Sequence, residues 1–301
     1  MRVTVKPGLS ARTRIIRTFA GLFALVMAMV GLVATPASAA VAHTICALSP
    51  GSAGVWRYDD DGTSWTQIGG PAGRLYGGGF GLFATSPDGS GIWRYLRSHN
   101  LWQNVGGPGL TWSVTNNALY GLATDRSGVY KWNGAGTSWT QVGGPANWLY
   151  GGGFGLFATS PDRSGIWRYL NSPHLWQNVG GPGRTWSVTN DALYGLAPDR
   201  SGVYKWDGAG TDWTQVGGPA NWLYGGGFGL FATTPDRGSI WRYLNTPYAW
   251  QLVGGPGWDW AVTNGDIYGL SPDRRAVYKW TGSGTNWVQV GGPAEQIVPC
   301  P

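Results

Sequence analysis

Residues 147–180 read NWLYGGGFGLFATSPDRSGIWRYLNSPHLWQNVG, and the way this stretch divides decides the fold. Four short runs are rich in aromatic and β-branched residues: Trp148 to Tyr150, Leu156 to Thr159, Ile166 to Tyr169 and Trp176 to Val179. Such side chains fit a pleated, half-buried surface, so each run predicts a strand. Gly151-Gly152-Gly153, Pro161-Asp162-Arg163-Ser164-Gly165, Asn171-Ser172-Pro173 and Gly180-Gly181-Pro182 part the runs with residues that reverse a chain. Apolar residues beyond position 40 show no helical period, so helices are not expected there.

The same unit returns along the whole chain. Gly-Gly-Pro places its proline at Pro71, Pro108, Pro145, Pro182, Pro219, Pro256 and Pro293, in steps of 37 residues. A tryptophan six residues earlier keeps step, at Trp65, Trp102, Trp139, Trp176, Trp213, Trp250 and Trp287. A fixed period of that length marks a repeat architecture, in which one unit cannot bury its faces alone. Seven units of four antiparallel strands predict an all-β, seven-bladed β-propeller over residues 40–301, its small sheets packed face to face around an axis. Both faces of each sheet are then covered, which accounts for aromatic runs without a clean apolar-polar alternation. Gly151 to Gly153 belong on the innermost strand, where seven chains crowd together.

The chain ends fit a closed ring. Residues 1–39 place Arg2, Lys6, Arg12, Arg14 and Arg17 ahead of an apolar run from Phe19 to Ala34 and the small-residue sequence Ala37-Ser38-Ala39. That order reads as a signal peptide and predicts a secreted, extracellular protein with no membrane span after cleavage. An uncleaved anchor is the competing reading, against which the cleavage sequence argues. Five of the 21 Lys and Arg lie in this leader, which leaves 16 against 15 acidic residues. So nearly neutral a remainder has no basic stripe for phosphates, which argues against nucleic acid as a partner. Cys46 and Cys300, at opposite ends of the mature chain, predict a disulfide in an exported protein. Shifted by seven repeats, Cys300 falls on position 41, in the part of the first blade that cleavage removes. Residues 296–300 are therefore expected to supply the innermost strand of that blade and remove its open edge.

The copies alternate between two kinds, so the larger unit is 74 residues; residues 110–183 and 184–257 differ at 12 of 74 positions. What both kinds keep is what the fold demands, and what differs is freer to bind a ligand. The innermost strand differs most, reading Asn147-Trp148-Leu149-Tyr150 in one kind and Arg184-Thr185-Trp186-Ser187 in the other. Trp148 aligns with Thr185, so Trp186 is one residue out of phase, and one step along a strand reverses the face. Tryptophans then meet in every second groove: either Trp148 with Trp186 and Trp222 with Trp260, or Trp112 with Trp148 and Trp186 with Trp222. The hairpin between second and third strands shares an end of the blade with the blade-to-blade link. Asp162 with Arg163, Asp199 with Arg200 and Asp236 with Arg237 are thereby brought near these aromatics. An indole beside a paired carboxylate and guanidinium suits a sugar, whose C–H face stacks on the ring while its hydroxyls take the polar groups. The candidate ligand-binding residues are thus Trp112, Trp148, Trp186, Trp222, Trp260, Asn147, Asn221 and those three Asp-Arg pairs. The plainer reading makes the tryptophans inter-blade packing and the Asp-Arg pairs turn stabilisers.

Leu193-Tyr194-Gly195, Gly202-Val203-Tyr204-Lys205-Trp206 and Trp213-Thr214-Gln215-Val216-Gly217-Gly218 resemble the tectonin-type repeat of tachylectin-related β-propeller lectins, and the resemblance covers residues 43–301. It implies carbohydrate recognition in grooves between blades, at several equivalent sites, with cell-surface glycans or polysaccharide as partners. A secreted protein-interaction propeller without sugar binding is the alternative, and would need one broad apolar patch. Ser160-Pro161-Asp162-Arg163-Ser164-Gly165-Ile166-Trp167 resembles the Asp-box hairpin of sialidase-type propellers. An enzyme is nevertheless not expected. Glycoside hydrolysis uses two carboxylates with distinct roles, and the sole glutamate is Glu295. Three histidines and two bridged cysteines supply no nucleophile and base pair. His43, His99 and His174 lack metal-ligand spacing, and Asp59-Asp60-Asp61 reads as a solvated turn, so neither metal nor cofactor is expected.

Overall fold

The computed structural model describes residues 44–300; the signal peptide expected over residues 1–39 lies outside the described residues. Twenty-eight strands form seven four-stranded antiparallel sheets, the blades of a propeller. Blade 1 spans residues 44–69 and borrows Gln296–Cys300, while blades 2 to 7 span 75–106, 111–143, 149–180, 185–217, 222–254 and 259–291. In the stretch quoted first, the strands are Leu149–Gly152, Gly155–Thr159, Ile166–Tyr169 and Trp176–Gly180. The innermost strands adjoin one another around the axis.

The repeated tryptophan and the repeated glycine turn out to be one device. Each indole reaches across to the preceding blade and donates its Nε1–H to a backbone carbonyl: Trp102 to Ile68, Trp139 to Val105, Trp176 to Val142, and so on to Trp287 with Val253, at 2.7–2.8 Å. Trp65 does the same to Val290 at 2.7 Å, across the seam where the chain ends meet. The first glycine of each Gly-Gly-Pro lies beneath that ring. A Cβ on Gly143 would stand 2.8 Å from Trp176 Nε1, and one on Gly180 would stand 2.6 Å from Trp213 Nε1. The 37-residue spacing therefore carries the bond that holds blade to blade.

The axial glycines serve close approach as expected. A Cβ at Gly152 would run 2.5 Å from Val188 O, and at Gly78 it would run 2.9 Å from Val114. Strand interiors tolerate glycine where another backbone presses in. At the far end of the axis Asn190 Nδ2 donates to Asn264 Oδ1 at 3.2 Å, one double repeat away.

Ring closure follows the expected course. Gln296–Cys300 pairs antiparallel with Thr44–Leu48, from Thr44 opposite Cys300 to Leu48 opposite Gln296. Cys46 and Cys300 are bridged, with their Cα atoms 5.3 Å apart. Seven is odd, so the alternation breaks near the seam where blades 7 and 1 adjoin: blade 1, with Ile297 and Val55-Trp56-Arg57-Tyr58, has the innermost and third strands of the kind found in its other neighbour, blade 2. Lys279 Nζ there lies 3.2 Å from both Asp60 and Asp266. Asp60, in the run read as a solvated turn, is thus an ion-pair partner across the seam.

Candidate functional site

One position on the innermost strand decides what each groove contains. In steps of 37 it is Leu75, Trp112, Leu149, Trp186, Leu223, Trp260 and Ile297, and each packs against the preceding blade. Where it is tryptophan the groove is full. Trp186 lies over Gly183 and Gly195, its ring 2.6 Å from where a Cβ of Gly183 would be, and meets Tyr150 at 5.4 Å. Trp112 lies likewise over Gly109 and Gly121 against Tyr76, and Trp260 over Gly257 and Gly269 against Trp287. Trp112, Trp186 and Trp260 are 7%, 6% and 8% exposed.

Where the position is leucine or isoleucine, the two glycines become alanines and the space stays open. Clefts of about 320, 290 and 150 Å³ lie between blades 1 and 2, 3 and 4, and 5 and 6, and one of about 300 Å³ lies between blades 7 and 1. Ala146 and Ala158 floor the cleft between blades 3 and 4; its walls are the Gly143-Gly144-Pro145 linker, the Ser160-Pro161 hairpin, Trp167 and Trp176. Every cleft has this indole pair: Trp93 with Trp102, Trp167 with Trp176, Trp241 with Trp250, and Trp56 with Trp65. Trp93 and Trp167 are each 37% exposed.

Trp56, Trp93, Trp167 and Trp241 are site residues that the sequence reading missed. The signal was present, because the third strand reads Ile-Trp-Arg-Tyr or Val-Trp-Arg-Tyr in blades 1, 2, 4 and 6, each of which lends its tryptophan to the cleft it shares with the preceding blade, and Val-Tyr-Lys-Trp in blades 3, 5 and 7. The cleft between blades 5 and 6 is the narrow one. Ser239 replaces the glycine found at Gly91 and Gly165, and its hydroxyl accepts the Trp241 indole N–H at 3.0 Å. Leu252 stands across the strand from Trp241, where Asn104 and Asn178 face Trp93 and Trp167.

The hairpin residues have partners other than those expected. Asp162 does not pair with Arg163; it accepts from the backbone and hydroxyl of Ser164 at 3.0 and 2.7 Å. Those bonds hold its carboxyl down at about 2. Asp199 and Asp236 make the same turn, to Ser201 N and Gly238 N, each at 2.9 Å. Arg163, Arg200 and Arg237 occupy the left-handed backbone region, with φ of 63°, 64° and 60°. Arg163 Nε donates to Asn147 Oδ1 at 3.1 Å and Arg237 to Asn221 at 3.2 Å, beside Trp148 and Trp222 as expected. Arg200 has Arg184 at the place of that asparagine, and its backbone carbonyl holds Ala220 N at 3.2 Å.

Trp148 lines a cavity on the axis, and Trp222 is 40% exposed. Trp148 has the strand parity of Tyr150 and borders the same axial cavity as Trp186, but the ring contact with Trp186 is made by Tyr150, and Trp260 meets Trp287 rather than Trp222. This axial cavity of about 310 Å³ is lined by Arg74, Tyr76, Thr111, Trp112, Ser113, Trp148, Tyr150, Trp186, Ser187 and Gln296, with neighbouring backbone. The residues aligned with Trp148 around the seven innermost strands are Arg74, Thr111, Trp148, Thr185, Trp222, Asp259 and Gln296, of which Arg74, Thr111, Trp148 and Gln296 line the cavity. Asp259 is pushed up to about 6 by burial, which the Trp260 backbone N–H and the Arg74 charge only partly offset.

No family model and no curated protein matches the sequence. Solved structures do match in shape. Apo AztD from Citrobacter koseri is 11% identical with a TM-score of 0.56, the match covering 85% of this chain and 97% of that one. Prp20p from Saccharomyces cerevisiae is 11% identical with a TM-score of 0.54, over 74% and 76%. At such identities the likeness is one of fold: a β-propeller.

Proposed function

We propose that the chain is a secreted carbohydrate-binding protein, a multivalent lectin of the tectonin kind, that holds sugar residues of glycans in its inter-blade clefts. The observation that carries this reading is the recurrence of one two-tryptophan cleft in four grooves, three of them about 300 Å³ in volume. A half-exposed indole such as Trp167 offers a π face to sugar C–H groups, and Thr159, Ser160 and the linker carbonyls offer hydrogen bonds to hydroxyls. No carboxylate lines any of the four clefts, whereas hydrolysis of a glycoside uses two. The most exposed apolar side chains, Tyr248, Leu101, Val288, Trp258 and Leu175, are spread over blades 2, 4, 6 and 7, which disfavours a single protein-docking patch.

Each cleft lies between a linker and a hairpin, and the bond from Ala146 N to Arg126 O places linker and hairpin at one end of the blade. All four clefts therefore open around the same end of the disc. A single cleft of this size is expected to bind in the millimolar range, about −4 kcal/mol. Simultaneous engagement of several on one surface gains on the order of 10² to 10⁴ in avidity. A glycan array probed with the mature chain and with a Trp56→Ala, Trp93→Ala, Trp167→Ala variant tests the reading. Binding is expected to vanish in the variant while its circular dichroism is kept; undiminished binding would overturn the proposal.

A further inference from the structure

We infer that the mouth of the axial cavity is a second ligand site, separate from the clefts, that takes one carboxylated sugar residue of the hexuronate class with Arg74 as its anion anchor. The first ground is a break in the repeat. Position 74 aligns with Trp148 and Trp222, so duplication by itself would place a tryptophan there. The chain has a guanidinium instead, in blade 2, and a glutamine, Gln296, at the same position of blade 1.

The second ground is that this guanidinium is uncommitted. Among the described residues Arg57, Arg274 and Arg275 have carboxylate partners and Arg163 and Arg237 are held by asparagines; the side chains of Arg97, Arg126, Arg184 and Arg200 lack such partners as Arg74 does, but Arg74 alone of these lines the axial cavity. Arg74 is exposed, and among the described residues its side chain has neither an ion pair nor a hydrogen bond; its charge reaches the Asp259 carboxyl without contact, and it lies 5.9 Å from the centre of the Tyr76 ring. Gln296, its neighbour in the ring, is spent. The amide accepts Leu75 N at 2.9 Å and donates to Leu75 O at 3.0 Å, which leaves Arg74 as the cavity's only charged lining residue.

The third ground is what surrounds it. Thr111, Ser113 and Ser187 line the same cavity, and Trp148 brings indole surface to it, backed by the buried rings of Trp112 and Trp186. A forked guanidinium matches a carboxylate in two parallel bonds, which a neutral sugar cannot offer. Aromatic walls take the C–H face of a pyranose, and the hydroxyls take its polar edge. A volume of about 310 Å³ admits a single residue of that kind. One axis makes one site per molecule.

The test is calorimetric titration of the mature chain with D-glucuronate, D-glucose and acetate. The inference expects one axial equivalent of glucuronate, bound at least tenfold more tightly than glucose or acetate. Arg74→Gln is expected to abolish that preference, and so is Arg74→Trp, which installs the residue the repeat itself carries and so preserves the fold. The triple cleft variant Trp56→Ala, Trp93→Ala, Trp167→Ala is expected to retain it, which separates this site from the reading of the clefts. No preference for glucuronate, a preference that survives in Arg74→Gln, its loss in the cleft variant, or acetate binding as well as glucuronate would each overturn the inference.

Discussion

At the residue scale, the repeated tryptophan does two jobs at once, and they can be separated. Trp176 fills space over Gly143 and also satisfies Val142 O. Phenylalanine keeps most of the ring and removes the donor, leaving a carbonyl without its partner. Trp176→Phe is expected to cost about 1–3 kcal/mol in urea unfolding, the penalty of an orphaned buried acceptor. Asp259 behaves differently because its burial works against it. A folded-state value of about 6 lies above the roughly 3.9 of an unfolded aspartate, so between these the folded chain holds the proton more tightly. Stability is then full below about pH 4 and falls as pH rises toward about 6, by roughly 2–3 kcal/mol at most for two pH units. Asp259→Thr, which restores the residue found at Thr111 and Thr185, should remove that slope and raise the midpoint of thermal unfolding at pH 7–8. A variant with an unchanged slope would show that Asp259 is not the titrating group.

At the scale of the strand and the groove, the same residue type reads as plug or as wall according to its neighbours. The strand pattern, the count of seven and the strand lent by residues 296–300 were legible because they rest on spacing, which a repeat states seven times. The clefts were not, because tryptophan content alone does not say where an indole lies. Trp186 is buried since Gly183 and Gly195 leave room for it, whereas Ala146 and Ala158 around Leu149 leave a hole that Trp167 borders. Reading glycine against alanine two elements away would have been needed. The Asp-Arg pairing failed for a local reason: an aspartate two residues before a free backbone N–H closes its own turn before a longer side chain can reach it. The cleft between blades 5 and 6 gives the sharpest test of this account. Ser239→Gly with Leu252→Asn restores the residues of the two wider repeats, and is expected to free the Trp241 indole and open the cleft toward 300 Å³. Calorimetry with the neutral sugar selected on the array should then show one more equivalent bound than in the parent chain. An unchanged stoichiometry would mean that these two residues do not set the cleft's width.

At the scale of the whole molecule, closure turns a linear array into a ring in which every blade has two neighbours. A linear array of repeats frays from its ends, since each unit is stabilised mainly by contact with the next. Here the ends are tied to each other, by the strand Gln296–Cys300, the Cys46–Cys300 bridge, the Trp65 bond to Val290 and the Lys279 contacts with Asp60 and Asp266. The bridge spans 254 residues, so on the chain-entropy model it contributes about 5 kcal/mol by limiting the unfolded chain. Cys46→Ser with Cys300→Ser leaves the other ties in place but makes the seam the weakest joint. Global stability is then expected to fall by about 2–5 kcal/mol. The loss should also be uneven: amide hydrogens of Thr44–Leu48 and Gln296–Cys300 should exchange well before those of blades 3 to 5, whereas in the parent chain all seven blades open together. Sugar binding should follow the same order, failing first in the cleft between blades 7 and 1, whose floor includes Ala47 and Ala294. Exchange that quickens uniformly around the ring in the double variant would show that closure does not depend on the bridge, and that the inter-blade tryptophans hold the disc shut by themselves.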